Sequence, residues 1–140
     1  MTLEGRPQGK GRPRYTVRAG RAFAYTPAST RAYEASIRQA WIEQDGRSFG
    51  SCPVALILRA YYPVPSKARK AEQEAMLTGK IPVSGKPDLD NVLKIVMDGL
   101  NGLAYEDDSQ ITCISATRAY GTRPRLEVEI LPLIKGDYES

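Results

Sequence analysis

The most constraining pattern in this 140-residue chain lies between residues 88 and 101. Its apolar residues fall on one arc of a helical wheel, namely Leu89, Val92, Leu93, Val96, Met97 and Leu100. The polar residues gather on the other side, namely Asp90, Lys94, Asp98 and Asn101. An arc of this width buries against a core, and Gly102 follows as a stop signal. The pattern predicts an amphipathic helix that presents one polar face.

The other segments alternate between helical and strand periodicity. In chain order they predict a hairpin over residues 15–26 with Ala19-Gly20 at its turn, a helix over 30–44, a strand over 53–62, a helix over 66–77, the helix over 88–101, and strands over 103–105, 111–120 and 125–133. A turn near Gly121 and Pro124 joins the last two strands, in a sheet whose strands are expected to be connected mostly by hairpins. We therefore predict an α+β fold with two layers, in which a mixed, mostly antiparallel sheet packs against helices.

The length fits one domain spanning residues 1–140. Residues 1–14, rich in Gly and Pro, are predicted to be an irregular basic segment, and residues 134–140 a flexible tail. No apolar run reaches the roughly 18 residues of a membrane span, and residues 1–6 lack the apolar core of a signal peptide. We expect a cytoplasmic protein that contacts no membrane.

The chain contains no histidine and two cysteines. This composition removes the Ser/His and Cys/His nucleophile pairs and the usual zinc ligand sets. Cys52 and Cys113 are far apart and are expected to be reduced thiols. Catalysis would have to use carboxylates, lysine or a metal held by oxygen ligands, and we expect no organic cofactor.

Basic residues concentrate near the N-terminus. Residues 1–31 contain seven of them against the single acid Glu4, and seven minus one leaves this segment at +6. Tyr15, Phe23 and Tyr25 stand among them. Guanidinium groups suit a phosphate backbone, and aromatic rings can stack on bases. The candidate DNA contacts are Lys10, Arg12, Arg14, Arg18, Arg21 and Lys86. A solubilising arm is the alternative.

Two acidic segments form a candidate metal site. Asp88 and Asp90 open the helix, and Asp107 and Asp108 lie on a loop that returns after Gly102. Mg²⁺ takes carboxylate oxygens, water and substrate phosphate as ligands, and Lys94 lies one turn after Asp90. Taken singly, each acid also has a structural explanation, as a helix cap, an ion pair or a turn.

Other polar residues of this helix are assigned to structure, and two known motifs do not fit. Asp98 is assigned to the structural class, as is Asn101. An EF-hand would need an oxygen ligand where Val92 stands and an acid where Gly99 stands, and no P-loop is present. A DxD-bearing phosphotransferase remains open on the carboxylates alone, but it leaves the basic N-terminus unexplained.

The motifs together resemble the RusA-type Holliday junction resolvases. The similarity rests on Lys86-Pro-Asp-Leu-Asp-Asn91, Lys94, Asp98-Gly-Leu-Asn-Gly102 and Asp107-Asp108-Ser-Gln-Ile111. It also includes Lys10-Gly-Arg-Pro-Arg14, Tyr25-Thr-Pro27 and Thr30-Arg-Ala-Tyr-Glu34, so it covers roughly residues 5–132.

The resemblance implies a homodimer that binds branched DNA and cuts four-way junctions by paired symmetric nicks in recombination and repair. It implies Mg²⁺, with Mn²⁺ as a substitute, bound by Asp88, Asp90 and Asp108 and supported by Asp107. Lys94 falls on the family's catalytic lysine, so the implied catalytic set is Asp88, Asp90, Lys94 and Asp108. A branched-DNA-binding protein that does not cut is the rival from another functional class.

Overall fold

The computed structural model describes residues 1–133. The tail prediction for residues 134–140 therefore lies outside the described residues. The strands are β1 Thr2–Glu4, β2 Arg14–Arg18, β3 Arg21–Tyr25, β4 Val54–Tyr62, β5 Ile111–Tyr120 and β6 Arg125–Pro132. The helices are α1 Ala28–Gln44, α2 Lys70–Leu77 and α3 Leu89–Leu100, and a 3₁₀ turn covers Asp108–Gln110.

Four strands form the main sheet, in the order β1-β6-β4-β5. The β4–β6 and β6–β1 pairs are antiparallel, whereas β4 and β5 are parallel. A parallel neighbour needs a long crossover, and the segment carrying α2 and α3 supplies it. The α+β prediction with a mixed, mostly antiparallel sheet is confirmed.

Helices α1 and α3 cover one face of this sheet. Alternate residues of β4 are buried from Val54 to Tyr62, as the period of a strand requires. They meet Ile37 and Trp41 of α1 and the α3 residues Val92, Ile95, Val96 and Leu100 in one core. The predicted arc of α3 omitted Ile95, and its members Leu89, Leu93 and Met97 are only partly buried. Within α3, Gly99 lets α1 approach closely, since a Cβ there would lie 3.3 Å from Ile37 Cγ2.

The sequence patterns located most elements correctly. The α3 helix has Asp88 as its N-cap, and Gly102 follows it with a positive φ of 75°. The β2–β3 hairpin turns at Ala19 and Gly20, whose φ angles are both positive, as a tight hairpin turn needs. Helix α1 begins at Ala28, two residues before the predicted start.

Four local predictions were wrong. Residues 1–14 are not wholly irregular, because β1 pairs with β6 and Arg14 begins β2. Helix α2 begins at Lys70 rather than Ser66, and no side chain caps it. Residues 103–105 make only one isolated bridge, between Asn101 and Tyr105. The turn at residues 121–124 does not close a hairpin, because β4 lies between β5 and β6.

The central position of β4 has a simple cause. Val54, Leu56 and Leu58 are completely buried, so β4 requires neighbours on both edges and cover on its face. Residues 112–115 of β5 are all exposed, so this part of the strand tolerates the sheet edge. In the described part of the chain, no helix is both long and apolar enough to span a bilayer.

Candidate active site and nucleic-acid surface

Helix α3 positions two of the predicted acids differently. One Asp88 carboxylate oxygen accepts a hydrogen bond from the Asn91 backbone N–H at 3.1 Å, so this side chain caps the helix. Asp90 lies one turn below Lys94 on the polar face, where neither serves as a cap. Asp88 therefore caps the start of the helix, whereas Asp90 does not serve as a cap.

The polar face of α3 opens onto a small cavity of about 230 Å³, which we call the acidic pocket. It is lined by Asp90, Leu93, Lys94, Met97, Asp98 and Asp108. Three carboxylates and one ammonium thus surround one space. In residues 1–133, no ion pair involves Asp90, Lys94 or Asp108, so the structural alternative of an Asp90–Lys94 ion pair is not formed. Their polar ends remain available to a ligand.

A capping box holds the acidic turn in place. Asp107 accepts a hydrogen bond from the Ser109 backbone N–H at 3.0 Å, and Gln110 Oε1 accepts from the Glu106 and Asp107 N–H groups. The hydrogen bonds from Ser109 lower the pKa of Asp107 below its ordinary value. Gln110 also donates to the carbonyls of Gly50 and Cys52. Asp107 thereby fixes the turn from which Asp108 reaches the pocket.

The four predicted metal ligands do not form one cluster. Among residues 1–133, no three acidic, cysteine or histidine side chains converge as a ready-made metal site. Asp90 and Asp108 share the acidic pocket, whereas Asp88 and Asp107 act as caps. Because Mg²⁺ is usually bound through one or two carboxylates plus water and substrate phosphate, the pocket fits that ion.

Arg118 was missed by sequence reasoning, and it holds the segment that leads into α3. Its guanidinium donates to the carbonyls of Gly85 at 2.9 Å, Pro87 at 3.3 Å and Val83 at 3.3 Å. A fork of fixed donors suits several carbonyls at once. The signal in the sequence was a cation at a β5 position that shares the core-facing side of the strand with Ala116 and Tyr120.

Tyr62 supports the same segment from β4. Its hydroxyl donates to the Pro87 carbonyl, and the Arg118 guanidinium lies 5.7 Å from its ring centroid. Burial raises the pKa of Tyr62, so the hydroxyl keeps its proton for this bond. Arg118 and Tyr62 together fix where Lys86 and Asp88 lie.

Lys10 occupies an ion-pair triad. Its ammonium lies 2.6 Å from a Glu34 oxygen and 3.0 Å from an Asp98 oxygen, and its side chain is only 20% exposed. Burial alone would lower its pKa, but the bonds to Glu34 and Asp98 raise it above the ordinary value. Lys10 thus joins the N-terminal segment to α1 and α3, and Asp98 of the pocket is already charge-compensated.

The backbone around Lys10 also lies against α3. The Lys10 N–H donates to the Asn91 carbonyl at 3.0 Å. A Cβ on Gly9 would lie 2.9 Å from the Pro87 Cβ, so this close approach needs glycine. Beside this contact, Arg6 and Lys86 border an open cleft of about 390 Å³.

The β2–β3 hairpin separates its side chains into two chemically different faces. Strand register places all three of its predicted DNA-contacting arginines on one face, with two aromatic rings. This basic-aromatic face consists of Arg14, Thr16, Arg18, Arg21, Phe23 and Tyr25. Phe23 and Tyr25 are 48% and 46% exposed, and the arginines are also exposed. Most of this face borders a broad concavity of about 960 Å³.

Comparison with known proteins gives two matches over nearly the whole chain. The family model described as "Endodeoxyribonuclease RusA" matches residues 4–131. The Bacillus subtilis (strain 168) "Uncharacterized protein YqaN" is 31% identical over 132 residues, which is 93% of each chain. Both matches include the acidic pocket and the hairpin.

Proposed function

This chain belongs to the RusA family of endodeoxyribonucleases, and we propose that it is a Mg²⁺-dependent resolvase of four-way DNA junctions. It makes paired symmetric nicks in branched DNA and acts in the cytoplasm in recombination and repair. The observation that carries the proposal is the acidic pocket, where Asp90 and Asp108 line one space with Lys94, in a chain that also carries a strongly basic hairpin.

Each pocket residue has a distinct role in phosphodiester hydrolysis. Asp90 and Asp108 would hold the metal, and Asp88 and Asp107 would support it from the two caps. When Mg²⁺ is bound, it supplies an activated water and neutralises charge on the phosphoryl oxygens, and Mn²⁺ can replace it. The Lys94 ammonium stabilises the negative charge that develops in the transition state or on the leaving oxygen.

The basic residues hold the DNA backbone. Arg12, Arg14, Arg18 and Arg21 are exposed along the hairpin and its approach, and the exposed Lys86 lies two residues before the Asp88 cap of α3. Such cations supply sequence-independent affinity that weakens with salt. Lys10 fits direct phosphate contact least well, because Glu34 and Asp98 already occupy its ammonium.

A homodimer completes the proposal. A four-way junction has approximate two-fold symmetry, and two symmetric nicks require two pockets. A closed dimer with one two-fold axis matches that geometry.

The direct test incubates the protein with a synthetic four-way junction and with linear duplex, with and without Mg²⁺. We expect Mg²⁺-dependent nicks at symmetric positions of the junction and little cutting of the duplex. Junction binding by the folded protein without any cutting would favour the non-cleaving rival and overturn the nuclease role. Equal cutting of both substrates would overturn only the junction selectivity.

A further inference from the structure

Strand β5 leaves one long edge of the main sheet open. In the described residues it pairs only with β4, and no strand of residues 1–133 lies on its other side. The edge is ten residues long and offers a row of backbone N–H and C=O groups. Such an edge is a template for pairing with another chain.

The first part of this edge lacks the features that usually prevent pairing. Residues 111–117 contain no charge, proline or glycine, although natural edge strands are commonly protected by such residues. Residues 112–115 are exposed, so both faces of the strand are open here. Ile114 is 43% exposed although it lies on the helix-covered side of the sheet. By contrast, β1 at the opposite edge is only three residues long.

We propose that the open edge of β5 is the dimer interface, where it pairs antiparallel with β5 of a second copy of this chain. A self-pairing centred on Ile114 aligns the uncharged stretch of residues 111–117 with itself. It places the acidic turn at Asp107 and Asp108 of one copy near the Arg118 end of the other. The two edges are therefore complementary in hydrogen bonding, and the uncharged stretch brings no like charges face to face.

This arrangement has a consequence for the site. Antiparallel pairing of identical edges requires a two-fold axis perpendicular to the sheet, so four strands from each copy form one eight-stranded sheet. Both acidic pockets then lie on the same face of that sheet. The two Ile111 residues are six positions apart along the paired strands, or roughly 20 Å. The inference deepens the proposed function and rests on it for the dimeric state.

Native Cys113 provides a direct test of this register. In pairing centred on Ile114, Cys113 lies opposite Ser115 of the second copy, so the two Cys113 residues are diagonal neighbours roughly 7–8 Å apart. A short bis-maleimide should therefore join two wild-type chains covalently. The Cys113→Ser variant should lose this product, whereas Cys52→Ser should keep it. Crosslinking that persists in Cys113→Ser and is lost in Cys52→Ser would overturn the proposed interface.

A second test compares two exposed isoleucines. Ile114→Lys places two cations opposite each other at the axis, whereas Ile42→Lys alters α1, where Ile42 is 53% exposed. Sedimentation of the full-length protein should give a dimer for wild type and Ile42→Lys. For Ile114→Lys, the concentration at half dissociation should rise at least tenfold, with an unchanged far-UV circular dichroism spectrum.

The outcomes separate the interface from the nuclease role. A dimer that survives Ile114→Lys and gives no Cys113 product would overturn the β5 interface but leave the dimer. A wild-type monomer that still cuts junctions would overturn the dimer and the interface together. A Cys113-linked dimer that never cuts DNA would support the interface and overturn the proposed nuclease function.

Discussion

The acidic pocket and the β2–β3 hairpin are both rich in charge, but they are supported in opposite ways. The pocket residues extend from α3, which buries Val92, Ile95 and Val96 completely, and from a turn held by its own capping box. The hairpin strands are exposed along almost their entire length, and hydrogen bonds between the two strands maintain their register. One region is fixed by the core, whereas the other is an exposed ribbon.

This difference indicates how the two regions divide the work. Chemistry at a phosphate needs groups held in a fixed position, which a half-buried helix provides. Backbone contact with DNA needs cations at a regular spacing, which an exposed strand provides through its period of two. We therefore expect changes in the pocket to alter the rate and changes in the hairpin to alter affinity.

The largest expected effect is the loss of junction-cleavage rate caused by Asp90→Asn. Removing one charge from the proposed metal-binding pair should reduce junction cleavage at least about a hundredfold, since metal stabilisation of the transition state amounts to several kcal/mol. Affinity should stay constant or increase, because a carboxylate repels phosphate. Single-turnover cleavage and a binding titration measure both quantities. Glu74→Gln on exposed α2 is the control, and equal loss in both variants would contradict the division.

The next largest effect is on the stability of the segment that leads into α3, which Arg118→Met tests. Leaving the carbonyls of Val83 and Gly85 without donors, and the Pro87 carbonyl with the Tyr62 hydroxyl alone, should lower the free energy of unfolding by about 2 kcal/mol. Denaturant unfolding measures the change. Arg59→Met on β4 is the matched control, because Arg59 is 42% exposed and should shift stability far less. Equal effects would mean that the Arg118 clamp does not support the start of α3.

The hairpin is tested by the double variant Arg18→Gln and Arg21→Gln. Loss of two phosphate contacts should reduce the slope of log affinity against log salt by about 1.8. The fall in affinity between 50 and 200 mM salt should therefore be about tenfold smaller than for the wild type. The cleavage rate at saturating DNA should not change. Lys67→Gln with Lys80→Gln removes the same charge elsewhere. If that control changed the slope equally, the hairpin would have no special role.

The smallest effect concerns Lys10, which links the two regions. Lys10→Met should slow cleavage severalfold at saturating DNA and leave the salt slope unchanged, because its ammonium holds Glu34 and Asp98. The double variant with Asp98→Asn should be less impaired than the sum of the single changes predicts. If Lys10→Met instead reduced the slope of log affinity against log salt by about 0.9, the direct phosphate contact predicted from the sequence would be supported.

Much of the site was predictable because its signals are local. The apolar arc of α3, the cap at Asp88, and the spacing of Asp90 and Lys94 follow from helical periodicity alone. The hairpin turn at Ala19-Gly20 and the pairing of acids across Gly102 also depend on neighbouring residues. Asp90 and Asp108 could therefore be selected from the sequence, whereas Asp98, assigned to the structural class, pairs with Lys10 and also lines the pocket.

The missed features depend on distant residues. Lys10 has the appearance of a DNA-binding lysine until Glu34 and Asp98 meet it from two helices. Arg118 has no local signal for the three carbonyls it binds, which precede it by more than 30 residues. The pairing of β5 with β4 rather than β6 likewise required a partner far along the chain.

The sequence by itself determined the helices, most of the strands, the charge pattern and the acids that begin α3, since these follow from short-range geometry and composition. Only the tertiary structure decided which acids share the pocket, which cation is neutralised and which strand edge remains open. Those outcomes depend on competition between distant segments for the same core and the same hydrogen bonds. Strand order in particular is set by which strand gains most from burial, and β4 gains more than β5.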